Sequence, residues 1–289
     1  MTQLNINSPA KINLALQIKS KRMDGYHNIK TIMQTINLFD KIKLTKSVNK
    51  EIKCYCSDAN LPVNQQNLVV KAALEFFKTI KQPPKIKIEI IKNIPSQAGL
   101  GGASSNAAST LIGLNKLFHA NLNQSSICNM AKKLGADVSF FIFKKTALVS
   151  GFGEIVTPLN SITPCYFVIV KPKNLNISTK KAFLLHDVYS TQFQNTKHHK
   201  ISNIAQNINN NTKIKNYCDK LFNDFEKSLK IEEIKDIKIK LKNTGALCAL
   251  MSGSGSCVFG IFDNFKTAQT SQRTLKNEHQ FQVFLCQPI

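Results

Sequence analysis

The stretch PSQAGLGGASSNAA, residues 95–108, constrains this chain more than any other. Ahead of it, residues 85–91 alternate, with Ile86, Ile88 and Ile90 pointing one way, the period of a half-buried strand. Behind it Leu111, Leu114 and Leu117 recur at helical spacing. The order is therefore strand, glycine loop, helix. Gly99, Gly101 and Gly102 let the loop curl its backbone N–H groups around phosphate oxygens. Ser104 and Ser105 fall in the first helical turn, where hydroxyls and the positive helix end meet an anion. Taken alone, the same residues also describe a tight turn with a serine cap. No Gly-Lys-Ser/Thr follows, so this is not a Walker loop. A pattern begun at Gly99 carries Ser104 where a dinucleotide fingerprint needs its third glycine.

The rest of the chain supplies a scaffold of mixed α and β type. Residues 10–18 alternate, with Lys11 and Asn13 sharing the face opposite Ile12, Leu14 and Leu16, as in a half-buried strand. A turn follows at Met23-Asp24-Gly25, then an apolar stretch over 29–44. Residues 67–80 have helical spacing and stop before Pro83-Pro84. A second helix is expected over 125–134, closed by Gly135 in the left-handed conformation, with Asp137 directly after it. Residues 166–170 read as a strand opening a second domain, and 197–216 as a polar loop or loose helix end in which His198-His199 is solvated. Apolar runs at 246–251 and 257–262 bracket a flexible Ser252-Gly253-Ser254-Gly255-Ser256 loop.

Bulk properties narrow the function classes. At 289 residues, with 43% hydrophobic and 19% charged, the chain exceeds the usual single-domain size and has the composition of a folded protein. No apolar run reaches the roughly 20 residues of a membrane helix, and MTQLNINSPAKINL is no charged-then-apolar leader, so no membrane partner and a cytoplasmic location are expected. The net charge of +22 invites a nucleic-acid reading. Against it, Arg22 and Arg273 are the only arginines, and the lysines are scattered through an Asn- and Ile-rich chain. No nucleic-acid partner is therefore expected, a basic binding protein remaining the reading from another class. The eight cysteines have no C-x-x-C spacing, which predicts reduced, mostly buried thiols in place of a zinc site.

Three ordered blocks resemble the GHMP kinases, the superfamily of galactokinase, homoserine kinase and mevalonate kinase. They are Ser8-Pro9-Ala10-Lys11-Ile12-Asn13-Leu14, then Pro95-Ser96-Gln97-Ala98-Gly99-Leu100-Gly101-Gly102-Ala103-Ser104-Ser105, then Met251-Ser252-Gly253-Ser254-Gly255-Ser256. Within that superfamily, Arg22-Met23-Asp24-Gly25-Tyr26-His27, Leu134-Gly135-Ala136-Asp137-Val138 and Asn223-Asp224-Phe225-Glu226 are similar to one branch. Its members phosphorylate the 2-hydroxyl of a cytidine-diphosphate ester of methylerythritol, in isoprenoid precursor synthesis. The chain departs from that pattern at Ser139, often Pro in the family, and Ala103, often Gly.

The resemblance implies an α+β, two-domain GHMP kinase fold. Residues 1–160 would form an ATP-binding domain of the ribosomal protein S5 domain 2-like type with a left-handed βαβ unit, an exception to the usual crossover. Residues 161–289 would form a ferredoxin-like domain, with the active site between the two. It implies Asp137 as the base for the attacking hydroxyl, Lys11 as the cation beside it, and the loop from Pro95 to Ser105 as the ATP cradle. Taken alone, Asp137 is a helix-cap or turn aspartate and Lys11 an exposed strand lysine. The small-molecule cytidine diphosphate substrate would be met by Asn13, Tyr26, His27, Thr179 and Phe183, the two aromatic rings sandwiching the cytosine, although Phe183 alone also reads as core. ATP and Mg2+ are the expected cofactors. The sequence specifies neither metal ligands nor an oligomeric partner. Another GHMP kinase, of homoserine or mevalonate type, is the nearest alternative; those substrates offer no ring for Tyr26 to stack on.

Overall fold

Two long alternating segments at the start of the chain pair into the hairpin on which the site is built, in a computed structural model that describes residues 2–192 and 200–289. β1 (Gln3–Lys21) and β2 (His27–Lys46) run antiparallel through a turn where Gly25 takes φ +84°. Residues 8–16 are buried on both faces, not half-buried as the alternation suggested. One face meets core and the other, carrying Lys11 and Asn13, is roofed by the glycine loop. The register slips between Pro9 and Ala10 and again between Asn13 and Ala15. Such bulges bend a strand and re-aim its side chains, and these two bracket the pair that matters.

β3 (Ile52–Cys56) and β4 (Ile86–Ile91) are parallel neighbours joined through α1 (Leu68–Thr79), a βαβ unit. Asn67 caps α1 by accepting from the Val69 N–H. Phe76 and Phe77 face inward fully buried, each worth roughly 1.5–3 kcal/mol of transfer free energy. From β4 the chain passes through the glycine loop into α2 (Gly102–Leu117), then α3 (Gln124–Leu134) and α4 (Val138–Phe143). β5 (Thr146–Gly151) returns to the open edge of β2 and pairs with β6 (Ile155–Pro158). Gly135 does not close α3 in the left-handed region. It sits at φ 164°, ψ 160°, and the turn is made one residue later, with the Val138 N–H donating to the Gly135 carbonyl.

The remainder builds β7 (Tyr166–Pro172), α5 (Thr179–Gln192), α6 (Ile201–Asn209), β8 (Phe222–Asn223), α7 (Asp224–Leu229), α8 (Glu232–Asn243), β9 (Cys248–Met251), β10 (Val258–Phe262), α9 (Phe265–Lys276) and β11 (Phe281–Cys286). Four of these strands form an antiparallel sheet in the order β11-β7-β10-β9, the fourth-first-third-second arrangement of a ferredoxin-like unit. The segment expected to be a polar loop is in part the amphipathic helix α6. Ile201, Ile204, Ala205 and Ile208 form a buried stripe with helical spacing that the surrounding Asn and Lys obscured. The His198-His199 pair lies outside the described residues. Among the described residues no helix is long and apolar enough to cross a membrane.

The two sheets share one core. Ala10, Ile12, Leu14, Ile32 and Ile36 of the first hairpin pack in a single cluster with Phe167, Ile169 and Phe259 of the second sheet and with the stripe of α6. β8, from the second half of the sequence, adds a parallel strand to β1 at Ala15 and Leu16. Residues 287–289 lie along β2, where Ile36 bridges Pro288. The hairpin, the glycine loop and the second sheet are therefore held in a fixed relation, which positions the cleft between them.

Candidate active site

The glycine loop is held from below by β1 and from the side by the loop between β9 and β10. Lys11 donates its backbone N–H to the Leu100 carbonyl, Cys257 donates to the Ala98 carbonyl, and the Ser252 hydroxyl donates to the Gly99 carbonyl at 3.0 Å. Gly99 is required twice over. Its φ is +73°, and a Cβ there would stand 1.9 Å from the Ser252 carbonyl oxygen. At Gly101 (φ +69°) a Cβ would press on the Phe141 ring at 2.9 Å. The loop between β9 and β10, expected to be flexible, is instead buried from Ser252 to Ser256. Its anchor is Asn223, whose amide donates to the carbonyls of both Met251 and Gly253 at 2.8 Å. Each residue of the Asn223-Asp224-Phe225-Glu226 block ties down something different. Asp224 accepts from the Ile18 N–H, Phe225 sets its ring edge-on to Phe183, and Glu226 accepts from the Met251 N–H at 2.6 Å.

Behind the loop lies a carboxylate that no sequence pattern singled out. Asp40, fully buried, accepts from the Lys92 ammonium, from the N–H groups of Asn93 and Ile94, and from the Asn106 amide at 2.9 Å. A buried charge satisfied by that many donors fixes the chain where it leaves β4 and enters the loop. α2 then opens after its N-cap Gly101 with no side chain capping it, and the first-turn residues Gly102, Ala103 and Ser104 line the cleft, where uncapped helix-start amides suit an anion.

These elements enclose a cleft of about 760 Å3. Of the residues singled out in the sequence, Lys11, Asn13, Pro95, Ser96, Gln97, Ala98, Gly99, Leu100, Gly101, Gly102, Ala103, Ser104, Asp137, Thr179 and Phe183 line it. Ser105 does not. Its hydroxyl is turned into the core and shares a hydrogen bond with Ser8 at 2.8 Å, fastening α2 to β1. Tyr26 and His27 are also absent from the lining. Tyr26 stands 63% exposed on the turn between β1 and β2, its ring 5.8 Å from that of Phe152. Phe152, just after β5, is a wall of the cleft that no pattern in the sequence marked. His27 is buried, its ring parallel to Phe183 at 4.7 Å, so Phe183 joins it to the cleft wall.

At the centre, Lys11 is buried and donates to Asn13 Oδ1 at 2.7 Å, while its Nζ stands 3.5 Å from Asp137 Oδ2. Asn13 in turn donates to Thr31 Oγ1, which donates to the Ala15 carbonyl. The lysine is thus aimed by a bonded chain across the hairpin. Asp137 occupies the N-cap position of α4, yet its carboxylate caps nothing and stays partly open to the cleft. On the far side Thr179 Oγ1 meets Ser254 Oγ at 2.9 Å, linking α5 to the second glycine loop. A glycine loop at a helix start, a cation and a partly open carboxylate paired with it therefore share one pocket, a set suited to moving a phosphoryl group onto an alcohol.

Comparison with known proteins agrees with this geometry. Residues 67–145 match the GHMP kinases N terminal domain and residues 193–280 the GHMP kinases C terminal domain. The 4-diphosphocytidyl-2-C-methyl-D-erythritol kinase of Lachnoclostridium phytofermentans is 39% identical over 93% of this chain and 91% of its own. The protein of the same name from Clostridium botulinum is 39% identical over 99% of this chain and all of its own. A crystal structure of 4-(cytidine 5'-diphospho)-2C-methyl-D-erythritol kinase superposes with a TM-score of 0.82 at 26% identity, covering 99% of both chains. The homoserine kinase of Cytophaga hutchinsonii, TM-score 0.78 at 17% identity over all of this chain and 95% of its own, shares the fold.

Proposed function

The chain belongs to the 4-diphosphocytidyl-2-C-methyl-D-erythritol kinases of the GHMP kinase superfamily, and on that premise we propose how its cleft works. It is an ATP-dependent small-molecule kinase, phosphorylating the 2-hydroxyl of 4-diphosphocytidyl-2-C-methyl-D-erythritol on the methylerythritol phosphate route to isopentenyl diphosphate. In our reading the phosphates of ATP lie on the loop from Pro95 to Ser104 and on the uncapped N–H groups that open α2. The adenosine end extends to the apolar lobe lined by Cys56, Leu61, Pro62, Leu68 and Ile90. Asp137 accepts the proton of the 2-hydroxyl as its oxygen attacks the γ-phosphorus, and the bond to ADP breaks with its electron pair leaving on ADP. Lys11 compensates the charge on the transferring group. Alignment and charge stabilisation are most of what this reaction requires.

The acceptor enters from the other end. Asn13 and Thr179 meet its polar groups, the cytosine stacks between Tyr26 and Phe183, and His27 reads its edge. An exposed ring on a turn and a second ring in the cleft wall support that arrangement. Mg2+ would accompany the nucleotide. It takes oxygen donors and needs only one or two from protein beside the phosphates, a demand the cleft-lining Ser104 hydroxyl fits. Bound there, it would neutralise phosphate charge. We assign the enzyme to the cytoplasm, its eight cysteines being free thiols.

The observation that carries the catalytic reading is the position of Asp137, at a helix start it does not cap and beside a buried lysine. A substrate panel tests it. Purified protein is expected to convert ATP to ADP with the cytidine substrate, placing the new phosphate on the 2-oxygen by 31P NMR, and to leave homoserine and mevalonate untouched. A higher kcat/KM with either competitor would overturn the substrate assignment.

A further inference from the structure

We propose that Asp187 is a positioning residue that sets the tautomer of His27 and thereby makes the enzyme choose cytosine over uracil; the inference rests on the reading of His27 as the base-facing residue. α5 holds His27 by two restraints. Phe183 lies flat against the imidazole, with an interplanar angle of 11°, which fixes the plane of the ring. Asp187, one helical turn further along the same face, accepts the Nε2–H at 2.5 Å, which fixes the ring within that plane.

An ionised carboxylate only accepts, so the imidazole hydrogen must sit on Nε2. In the neutral ring Nδ1 is then a bare acceptor, and no protein group among the described residues bonds it. A bare acceptor pairs with the exocyclic amine of cytosine and opposes the carbonyl that uracil carries at the same place. Lys21, the cross-strand partner of His27, also donates to Asp187, at 2.8 Å. That bond ties the hairpin to α5 from the strand side. Burial pushes the Asp187 carboxyl up, but the hydrogen bonds from Lys21 and His27 outweigh it and hold the group below its usual range. It therefore stays an acceptor throughout the neutral range.

A purely structural role, clipping the β1–β2 hairpin to α5, would make Lys21 and Asp187 equivalent, and the test separates the two. At about pH 8, where ordinary imidazoles are neutral, kcat/KM is measured with the cytidine diphosphate substrate and its uridine analogue. Wild type is expected to favour cytidine by about 100-fold or more, and Asp187→Asn, whose amide can accept or donate, to shrink that ratio by about tenfold or more, chiefly through KM. Lys21→Ala, which loosens only the clip, should leave the ratio within about twofold. An unchanged ratio in Asp187→Asn, or an equal loss in Lys21→Ala, would overturn the proposal. A second measurement needs neither substrate nor variant turnover: 15N NMR of the wild-type imidazoles, with His27 identified by its loss in His27→Gln. Hydrogen on Nε2 is expected, and hydrogen on Nδ1 would refute the proposal even if the kinase assignment stands. If the protein ignores the cytidine substrate while Nε2 carries the hydrogen, it is the function reading that fails.

Discussion

The two ends of the cleft are made by different means. At the proposed phosphate end the groups on offer are backbone amides, and two glycine loops interlock so closely that a single Cβ at Gly99 would strike the Ser252 carbonyl. At the proposed base end they are side chains drawn from separate elements: Phe152 from the end of β5 and Phe183 from α5 in the wall, with Tyr26 on the hairpin turn and Asp187 behind His27, both outside the lining. The first end is over-determined by its backbone bonds and close-packed glycines, whereas the second has beside it an aromatic ring left 63% in solvent. Chemistry common to many kinases is written into main-chain geometry, and the choice of substrate into side chains that can change without disturbing it.

That division fails if Asp137, a side chain at the junction of the two ends, proves dispensable. Asp137→Asn should lower kcat by about 100- to 10,000-fold, the range for a lost general base, with KM for ATP little changed. Steady-state kinetics with varied ATP checks this, and near-normal turnover would remove the base from the mechanism.

How much of this could be read from sequence follows the same division. The glycine loop was legible because backbone conformation demands particular residues at particular spacings, so Gly99, Gly101 and Gly102 announce it. Lys11 and Asp137 were legible only through the resemblance, since nothing local says that a lysine in a strand and an aspartate 126 positions later (137 − 11) meet at 3.5 Å. Asp40 and Phe152 were illegible, their roles arising from long-range packing. Asp187 left a trace in its helical spacing from Phe183, but its partner His27 lies 160 residues earlier. The direction of the Ser105 hydroxyl was not legible, because a first-turn serine beside a glycine loop looks alike whether it faces the cleft or, as here, the strand behind it.

The phosphate end is sharpened by Asn223→Ala. Two buried carbonyls, of Met251 and Gly253, would lose their donor together, and at about 1–3 kcal/mol for each unsatisfied group the loss should be about 2–6 kcal/mol. Urea unfolding followed by far-UV circular dichroism measures it, and ATP affinity should fall in parallel because the loop supports Gly99. At the base end, Tyr26→Ala should leave stability unchanged and raise KM for the cytidine substrate about 5- to 100-fold, the equivalent of one lost stacking face at about 1–3 kcal/mol. Isothermal titration with the cytidine substrate separates that loss from any effect on ATP. Should Tyr26→Ala weaken ATP instead, the two ends would not be independent.

Glycine itself gives the finest version of the comparison. Gly135 stands between α3 and Asp137, where sequence alone assigns it the same necessity as the loop glycines. Its backbone is extended, at φ 164°, a conformation open to any residue, and a Cβ there would find only Val138 Cγ2 at 3.7 Å, an ordinary contact. Alanine would also have fewer conformations to give up on folding. Gly135→Ala is therefore expected to be neutral or to stabilise by up to about 1 kcal/mol, with kcat unchanged, as read from the urea midpoint and a single-substrate assay. A loss of more than about 1 kcal/mol would mean that the segment presenting Asp137 needs conformational freedom after all, and that the rigid end of the cleft reaches further along the chain than the two interlocked loops.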